Sequence, residues 1–416
     1  VPTASTGWFE TARFGMFVHF GLYSLAARHE WVRSRETMSQ EAYDRYLDRF
    51  EPDLFDAREL ARAARAAGMR YVVLTAKHHD GFCLYDSALT SYTSQRAVGR
   101  DLVREFVEAM RAEGLRVGLY YSLLDWQHPD FTVDEHHPLR GTPAADEPRD
   151  MARYRAYLHG QVRELLTGYG PIDLLFFDFT YPGKGPEEWG AAELLSMVRA
   201  LQPDILVNDR LGIPGDYVTP EQYQPDRPLE RDGAPVTWEA CHTLNGSWGY
   251  DRDNHAYKDP ALLVRMLVES VACGGNLLLN VGPTGRGALD PRARGTLEAI
   301  GAWLALHERS VRGAGPSGLP APPNTLCTRV GRRLYLHLLA WPLSHLHLPG
   351  LAGRVRYAQL LHDGSEIRFH ELDGAEHEHV NMAPPGQPAG TLTLTLPIAR
   401  PDVLLPVIEL ELAEEG

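Results

Sequence analysis

The sequence predicts an α/β chain: an irregular (β/α)8 TIM-like barrel followed by a C-terminal antiparallel β-sandwich. Three observations predict it. Over the first three quarters, apolar runs of strand length alternate with segments of helical period. Most of those runs end in polar side chains, as barrel strands do at the face that carries their chemistry. Beyond residue 324 the apolar period becomes two, with no helical pattern.

Taken in order, Phe14-Gly15-Met16-Phe17-Val18-His19 reads as the first strand. The stretch from Asp56 to Met69 reads as a helix, with Ala57, Leu60, Ala61, Ala64 and Ala67 on one face and Gly68 near its end. Tyr71 to Thr75 is a strand, and Leu102 to Glu113 a helix stopped at Gly114. Arg116 to Tyr121 is the next strand, and a helix from about Arg149 to Tyr169 leads into Ile172-Asp173-Leu174-Leu175-Phe176-Phe177-Asp178. A helix over Pro186 to Leu201 precedes the strand Asp204 to Asn208. Asp259 to Cys273 and Asn276 to Val281 form a helix–strand pair, and Pro291 to Glu308 closes the set as a helix. These runs supply six clear strands. The stretch from Leu211 to Tyr250 lacks a helical pattern and is expected to hold two short strands among loops. Polar strand tips spread over at least five strands favour a barrel, because an open doubly wound sheet gathers them at one switch point.

The domain plan is therefore a barrel over 1–312, a Gly/Pro-rich linker over 313–324 and a β-sandwich over 325–416. In the last part, Leu334 to Leu338, Val355 to Ala358 and Thr391 to Leu396 alternate as half-buried strands do.

Composition narrows the function. Apolar residues make up 44% and charged residues 23% of the chain, and the formal net charge is −14. That charge argues against nucleic acid or an anionic membrane surface as partner. No apolar run approaches the roughly 18–20 residues of a membrane span. Cys83, Cys241, Cys273 and Cys327 show no Cys-x-x-Cys spacing, so neither a zinc knuckle nor a redox pair is expected. A start at Val1-Pro2-Thr3 shows neither the basic nor the apolar region of a signal peptide, which favours a cytoplasmic, reducing location; a chain beginning at Val is open to earlier trimming. The oligomeric state is left open.

The strand tips and nearby loops carry His19, His78, His79, Tyr120, Tyr121, Asp178, Arg210, Asn280 and Trp248. Hydrogen-bonding groups among aromatic rings suit a neutral sugar, and cleaving a glycosidic bond requires two carboxyl groups. Asp178 is the preferred first one, because an apolar strand delivers it to a polar mouth; a lone strand-end Asp is more often a salt-bridge partner. Asp173 stands at the wrong end of the same strand, and Asp125 lies in a loop from which it could bind substrate. Glu221 and Glu239 are candidates for the second carboxyl group. His78 and His79 invite a metal reading, but neighbours on a strand face opposite ways; no metal and no cofactor are expected. Gly282-Pro283-Thr284-Gly285-Arg286-Gly287 lacks the ending of a phosphate loop and reads as a turn.

At these residues the chain resembles the α-L-fucosidases of glycoside hydrolase family 29, over roughly residues 7–305. The resemblance is carried, in order, by Trp8-Phe9 with Arg13 to Gly21, Glu30-Trp31, and Leu74-Thr75-Ala76-Lys77-His78-His79-Asp80-Gly81-Phe82. It continues through Tyr120-Tyr121-Ser122 with Asp125-Trp126, Val207 to Arg210, Trp238-Glu239, Ser247 to Tyr250 and Gly274 to Pro283. It implies a retaining hydrolase of terminal α-L-fucosides on small molecules or glycans, with Asp178 as nucleophile and Glu221 as acid/base, Glu239 being the alternative. It also implies that His19, Glu30, Trp31, His78, His79, Tyr120 or Tyr121, Arg210 and Trp248 bind the sugar. Phe176 falls on the pocket wall, where other members carry Trp. Rival readings are an exo-glycosidase for a galactose-type sugar, an inactive carbohydrate-binding protein on the same barrel, and a metal-dependent barrel isomerase or hydrolase.

Overall fold

The computed structural model describes residues 4–371 and 387–414; the other positions of the expected 1–312 and 325–416 stretches lie outside the described residues. Five strands open the fold: β1 (Phe14–Val18), β2 (Tyr71–Lys77), β3 (Arg116–Ser122), β4 (Leu174–Asp178) and β5 (Leu206–Val207). An exposed ribbon of β6 (Glu230–Arg231) and β7 (Ala234–Pro235) precedes β8 (Glu239–Thr243) and β9 (Asn276–Val281). Apart from the ribbon these strands form one parallel sheet in the order β5-β4-β3-β2-β1-β9-β8.

An eighth stave closes it. Residues 216–222 run between the edges: Asp216 N–H donates to Val207 O at 2.7 Å, and Glu239 and Cys241 N–H donate to Val218 O and Pro220 O, both at 2.9 Å. Pro220 has no N–H to donate and Gln222 takes φ 51°, so this stave is bridged in place rather than laddered along its length. The two short strands expected between Leu211 and Tyr250 are thus this stave and β8.

Helices cover the sheet, and five of them start with one device. Asp56, Asp101, Asp150, Asp259 and Asp290 each precede a helix and accept hydrogen bonds from its first free N–H groups. Gly68, at φ 85°, turns the chain from Ala57–Ala66 into β2, and a Cβ there would stand 2.7 Å from Leu304. The helix expected over Pro186 to Leu201 is two, Pro186–Trp189 and Ala191–Leu201, broken at Gly190 (φ 59°).

The C-terminal strands are β10 (Gly315–Pro316), β11 (Thr325–Val330), β12 (Arg333–Leu338), β13 (His345–Pro349), β14 (Val355–Leu360), β15 (Arg368–Glu371), β16 (Thr391–Thr395) and β17 (Val407–Leu412). They make two antiparallel sheets, β10-β11-β12-β17-β14 and β13-β16-β15, around a core that includes Leu336, Leu348, Leu394, Ile408 and Leu410. Part of the expected linker is tied down as β10 against β11. Buried hydrogen bonds fix the sandwich to the barrel: Trp303 Nε1 to Leu405 O at 2.7 Å, Arg13 Nε to Ala314 O at 2.8 Å and Thr328 Oγ1 to Ser310 O at 2.7 Å.

Candidate active site

Alternation along the staves decides which side chains enter the barrel. Phe17, Val73, Leu174, Cys241 and Leu278 pack together in its middle, and Tyr120 and Phe176 stand above them. Two residues past Leu174 and four past it, Phe176 and Asp178 share the inward face, so the last residue of β4 delivers its carboxylate to the C-terminal mouth.

Asp178 Oδ2 accepts from Tyr120 OH at 2.7 Å, and Oδ1 accepts from Arg210 Nη1 at 2.6 Å. The same Nη1 lies 2.6 Å from Glu221 Oε2. Two oxygens each 2.6 Å from one nitrogen are separated by at most about twice that distance, so the two carboxyl groups stand near enough to flank one bond, as the pair in a retaining glycosidase does. Arg210 is itself held by Thr219, through Nε to Oγ1 at 2.9 Å, and lies 5.1 Å over the Phe176 ring. Burial would raise the Asp178 pKa, but the charge of Arg210, the neighbouring His79 and two hydrogen bonds bring it below the ordinary carboxylate value. Asp178 is thus an ionised base in a mouth that shields it, whereas the Glu221 side chain is 40% exposed and the Asp178 side chain 13%.

The histidines are held as acceptors. Asn280 Nδ2 donates to Trp248 O at 2.7 Å, which turns its Oδ1 toward His19 Nδ1, also at 2.7 Å. Burial lowers the His19 pKa to about 3, so the ring is neutral with its proton on Nδ1, and Nε2 keeps a lone pair. His79 repeats the arrangement: Ser122 Oγ donates to Leu124 O at 2.8 Å and so accepts from His79 Nδ1 at 2.6 Å. Its pKa falls to about 4, again through burial. Two bare Nε2 atoms suit sugar hydroxyls, which arrive as donors.

His78 and His79 lie together, with ring centroids 4.0 Å apart, and His78 stacks on Tyr120 at 5.6 Å. The expectation that they face opposite ways does not hold, because β2 ends at Lys77 and both follow it in a turn. An irregularity between Thr75 and Lys77 re-aims the end of that strand. Glu30 is buried: its Oε2 accepts from Trp248 and Gly249 N–H at 3.1 and 2.8 Å, and burial pushes its pKa up to about 7. Trp248 lies 5.2 Å from His19, and Trp31 lies 5.0 Å from His79.

Three expected positions lie elsewhere. Tyr121 points out of the barrel, where its OH donates to Gln161 Oε1 at 2.8 Å; β3 alternates, so only Tyr120 can face the mouth. Glu239 is the first residue of β8 and pairs in register with Asn276, the first of β9. That places it at the N-terminal end of the barrel, where Oε2 accepts from Tyr71 OH. Asp125 is buried against Lys77 Nζ at 2.9 Å and, through its other oxygen, caps the turn at Gln127 and His128. Asp173, as expected for the wrong strand end, pairs with Arg116.

Asn280 is recognisable in the sequence as a strand tip, and its parity with Leu278 on β9 is the signal that aims it at the mouth. Phe179 was missed. It follows Asp178 with φ 81°, and no local pattern announces a left-handed Phe.

A barrel mouth in which one arginine nitrogen holds an ionised, buried carboxylate beside a second, more exposed one suits a retaining glycosidase. The sequence profile of the α-L-fucosidase family matches residues 2–309, and the chain belongs to this family, glycoside hydrolase family 29. It is 31% identical to the tissue α-L-fucosidase of Bos taurus over 367 residues, 80% of this chain and 75% of the bovine one. The structure of α-L-fucosidase isoenzyme 1 from Paenibacillus thiaminolyticus superimposes with a TM-score of 0.93 at 44% identity, covering 98% of this chain and 99% of that one. A family 29 α-L-fucosidase from Bacteroides thetaiotaomicron, a mutant trapped as a covalent intermediate with 2-fluoro-fucosyl fluoride, gives 0.84 at 26% identity, covering 98% and 95%. A covalent intermediate in that relative accords with the retaining route.

Proposed function

We propose that this chain releases terminal α-L-fucose from glycans or smaller fucosides, with Asp178 as nucleophile and Glu221 as acid/base. The observation that carries this reading is the single Arg210 nitrogen shared by both carboxylates at 2.6 Å each. In the first step an Asp178 oxygen bonds to the anomeric carbon while the bond to the glycosidic oxygen breaks, and that oxygen takes the proton of Glu221. In the second step Glu221 takes a proton from water, whose oxygen displaces Asp178 and restores the starting configuration. Tyr120 and Arg210 hold the Asp178 carboxylate in line for attack, and the His19 and His79 acceptors fix sugar hydroxyls.

The test is hydrolysis of 4-nitrophenyl α-L-fucoside by wild type, Asp178→Ala and Glu221→Ala, with and without azide. Asp178→Ala is expected to lose on the order of 10⁴-fold in kcat and to yield an inverted fucosyl azide. Glu221→Ala is expected to regain turnover with azide and give a retained azide. Near-normal Glu221→Ala activity would move the acid/base role to another residue. An inactive wild type on this substrate and on fucosyl fluoride would overturn the reading.

A further inference from the structure

Beside the inner pocket stands a second group of aromatic rings, of which the family resemblance assigns only Trp31 to the fucose. The inner rings, His19, His78, Tyr120 and Phe176, are all buried. The outer ones, Trp31, His136, Phe179 and Tyr181, are half-buried and touch one another. Phe179 lies 5.2 Å from Trp31, 5.3 Å from His136 and 5.2 Å from Tyr181, and His136 lies 4.9 Å from Tyr181. This wall begins at His79, 5.1 Å from Phe179, and rises to the rim, where the His136 side chain is 30% exposed.

The wall is built firmly. Three separate segments meet in it: Tyr181 OH donates to Asp134, Lys184 Nζ donates to Thr132 Oγ1, and Ser34 Oγ donates to His136 O at 2.6 Å. Tyr181 and Lys184 also exchange backbone hydrogen bonds, which closes the turn that carries the Tyr181 ring. Independent evidence comes from the backbone. A strand continued past Asp178 would send residue 179 to the opposite face. Phe179 instead takes φ 81°, a conformation that is strained for an aromatic residue and persists where the surroundings enforce it, most often at functional sites. The effect of that strain is to stand a phenyl ring in the wall, one residue from the nucleophile position.

We infer that His136, Phe179 and Tyr181, continuing outward from Trp31, form a subsite for the pyranose ring on the leaving-group side of the scissile bond, so that these three side chains set which leaving-group sugar the enzyme prefers. The inner rings are buried and the outer ones reach the rim, so a second ring attached to a sugar held at Asp178 would pass these faces and edges, which can cover its C–H surface while its hydroxyls stay in water. The inference rests on the proposed fucosidase chemistry, and α-L-fucosyl fluoride separates the two, because its leaving group is too small to reach the wall.

The experiment compares kcat/KM for fucosyl fluoride with that for α-L-fucose linked 1→2 to galactose and 1→3 or 1→6 to N-acetylglucosamine. It uses wild type, His136→Ala, Tyr181→Ala and Phe179→Gly. Glycine relieves the backbone strain at φ 81° while removing the ring, so a folded Phe179→Gly protein is expected with a Tm no lower than wild type. Each of the other two variants should lose about tenfold on the best disaccharide and stay within about twofold of wild type on the fluoride. Equal losses on both substrates, or no loss on either, would overturn the subsite. A wild type that turns over the fluoride but none of the disaccharides would also overturn it, and would leave the fucosidase reading standing. A wild type inert to the fluoride would fail the underlying reading.

Discussion

Arg210 does two jobs that only a guanidinium can combine. One terminal nitrogen reaches both Asp178 and Glu221, while Nε is tied to Thr219 Oγ1 and Nη2 donates to Thr219 O at 3.3 Å, so the plane of the group is set before substrate arrives. A lysine would keep the charge and lose the anchoring. Arg210→Lys should therefore lower kcat for nitrophenyl fucoside on the order of 100-fold, the scale of a misplacement of about 1 Å, with KM changed far less. A KM effect with kcat intact would assign Arg210 to sugar binding alone. At this scale the sequence was informative where an apolar run aimed a polar group: Asp178 and Arg210 stood out because β4 and β5 precede them. Glu221 stood in the sequence only as one of two candidate glutamates, and the family resemblance ranked it ahead of Glu239. Its stave contains Pro220 and lacks an apolar run, so nothing local separated it from Glu239. What separates them is which end of the barrel each occupies, a property of closure.

Strand parity is the rule that sorts the elements, and Tyr120 and Tyr121 put it to a direct test. They are adjacent and chemically identical, yet one donates to Asp178 and the other to Gln161 on the helix Met151–Gly168. Tyr120→Phe should lower kcat by about 10-fold or more, on the order expected for a lost charge-assisted hydrogen bond to a reacting group, and leave Tm nearly unchanged. Tyr121→Phe should leave kcat alone and cost about 1–2 kcal/mol of stability by orphaning the buried Gln161 oxygen. Thermal melts and initial rates on the two variants check this; the opposite pattern would put β3 in the wrong register. The strands were readable because parallel staves are buried on both faces and need continuous apolar runs. The short helices Tyr23–Ala26, Val32–Arg35 and Ser94–Val98 gave no signal, since four or five residues are too few to display a helical period.

For the whole molecule, the barrel carries a carboxyl group at each end whose ionisation opposes folding. Burial raises Glu239 to about 8 at the closed end and Glu30 to about 7 at the mouth, against an ordinary value near 4.5. Glu30 has the N–H groups of Trp248 and Gly249 to receive its charge, whereas Glu239 Oε1 has no hydrogen-bond partner among the described residues and Oε2 meets only the Tyr71 hydroxyl. A raised carboxyl pKa means the folded state holds protons that the unfolded chain has released. Stability therefore declines as pH climbs from about 4.5 through 8, and the full penalty is present above that window. Asp178 acts with the opposite sign: its depressed pKa adds stability above the ordinary carboxylate range, which is lost as pH falls through its folded value. Glutamine at 239 reproduces the protonated form, since its carbonyl can accept from Tyr71 and no charge has to be buried. Glu239→Gln should match wild type at about pH 5 and exceed it by about pH 9, the Tm difference growing by about 5 °C. Its rate on nitrophenyl fucoside at neutral pH should stay within about twofold of wild type, because Glu239 begins β8 at the opposite end of the barrel from Asp178. A constant Tm offset across that pH range would mean that Glu239 is neutral throughout, and a collapse of kcat would return it to the catalytic machinery.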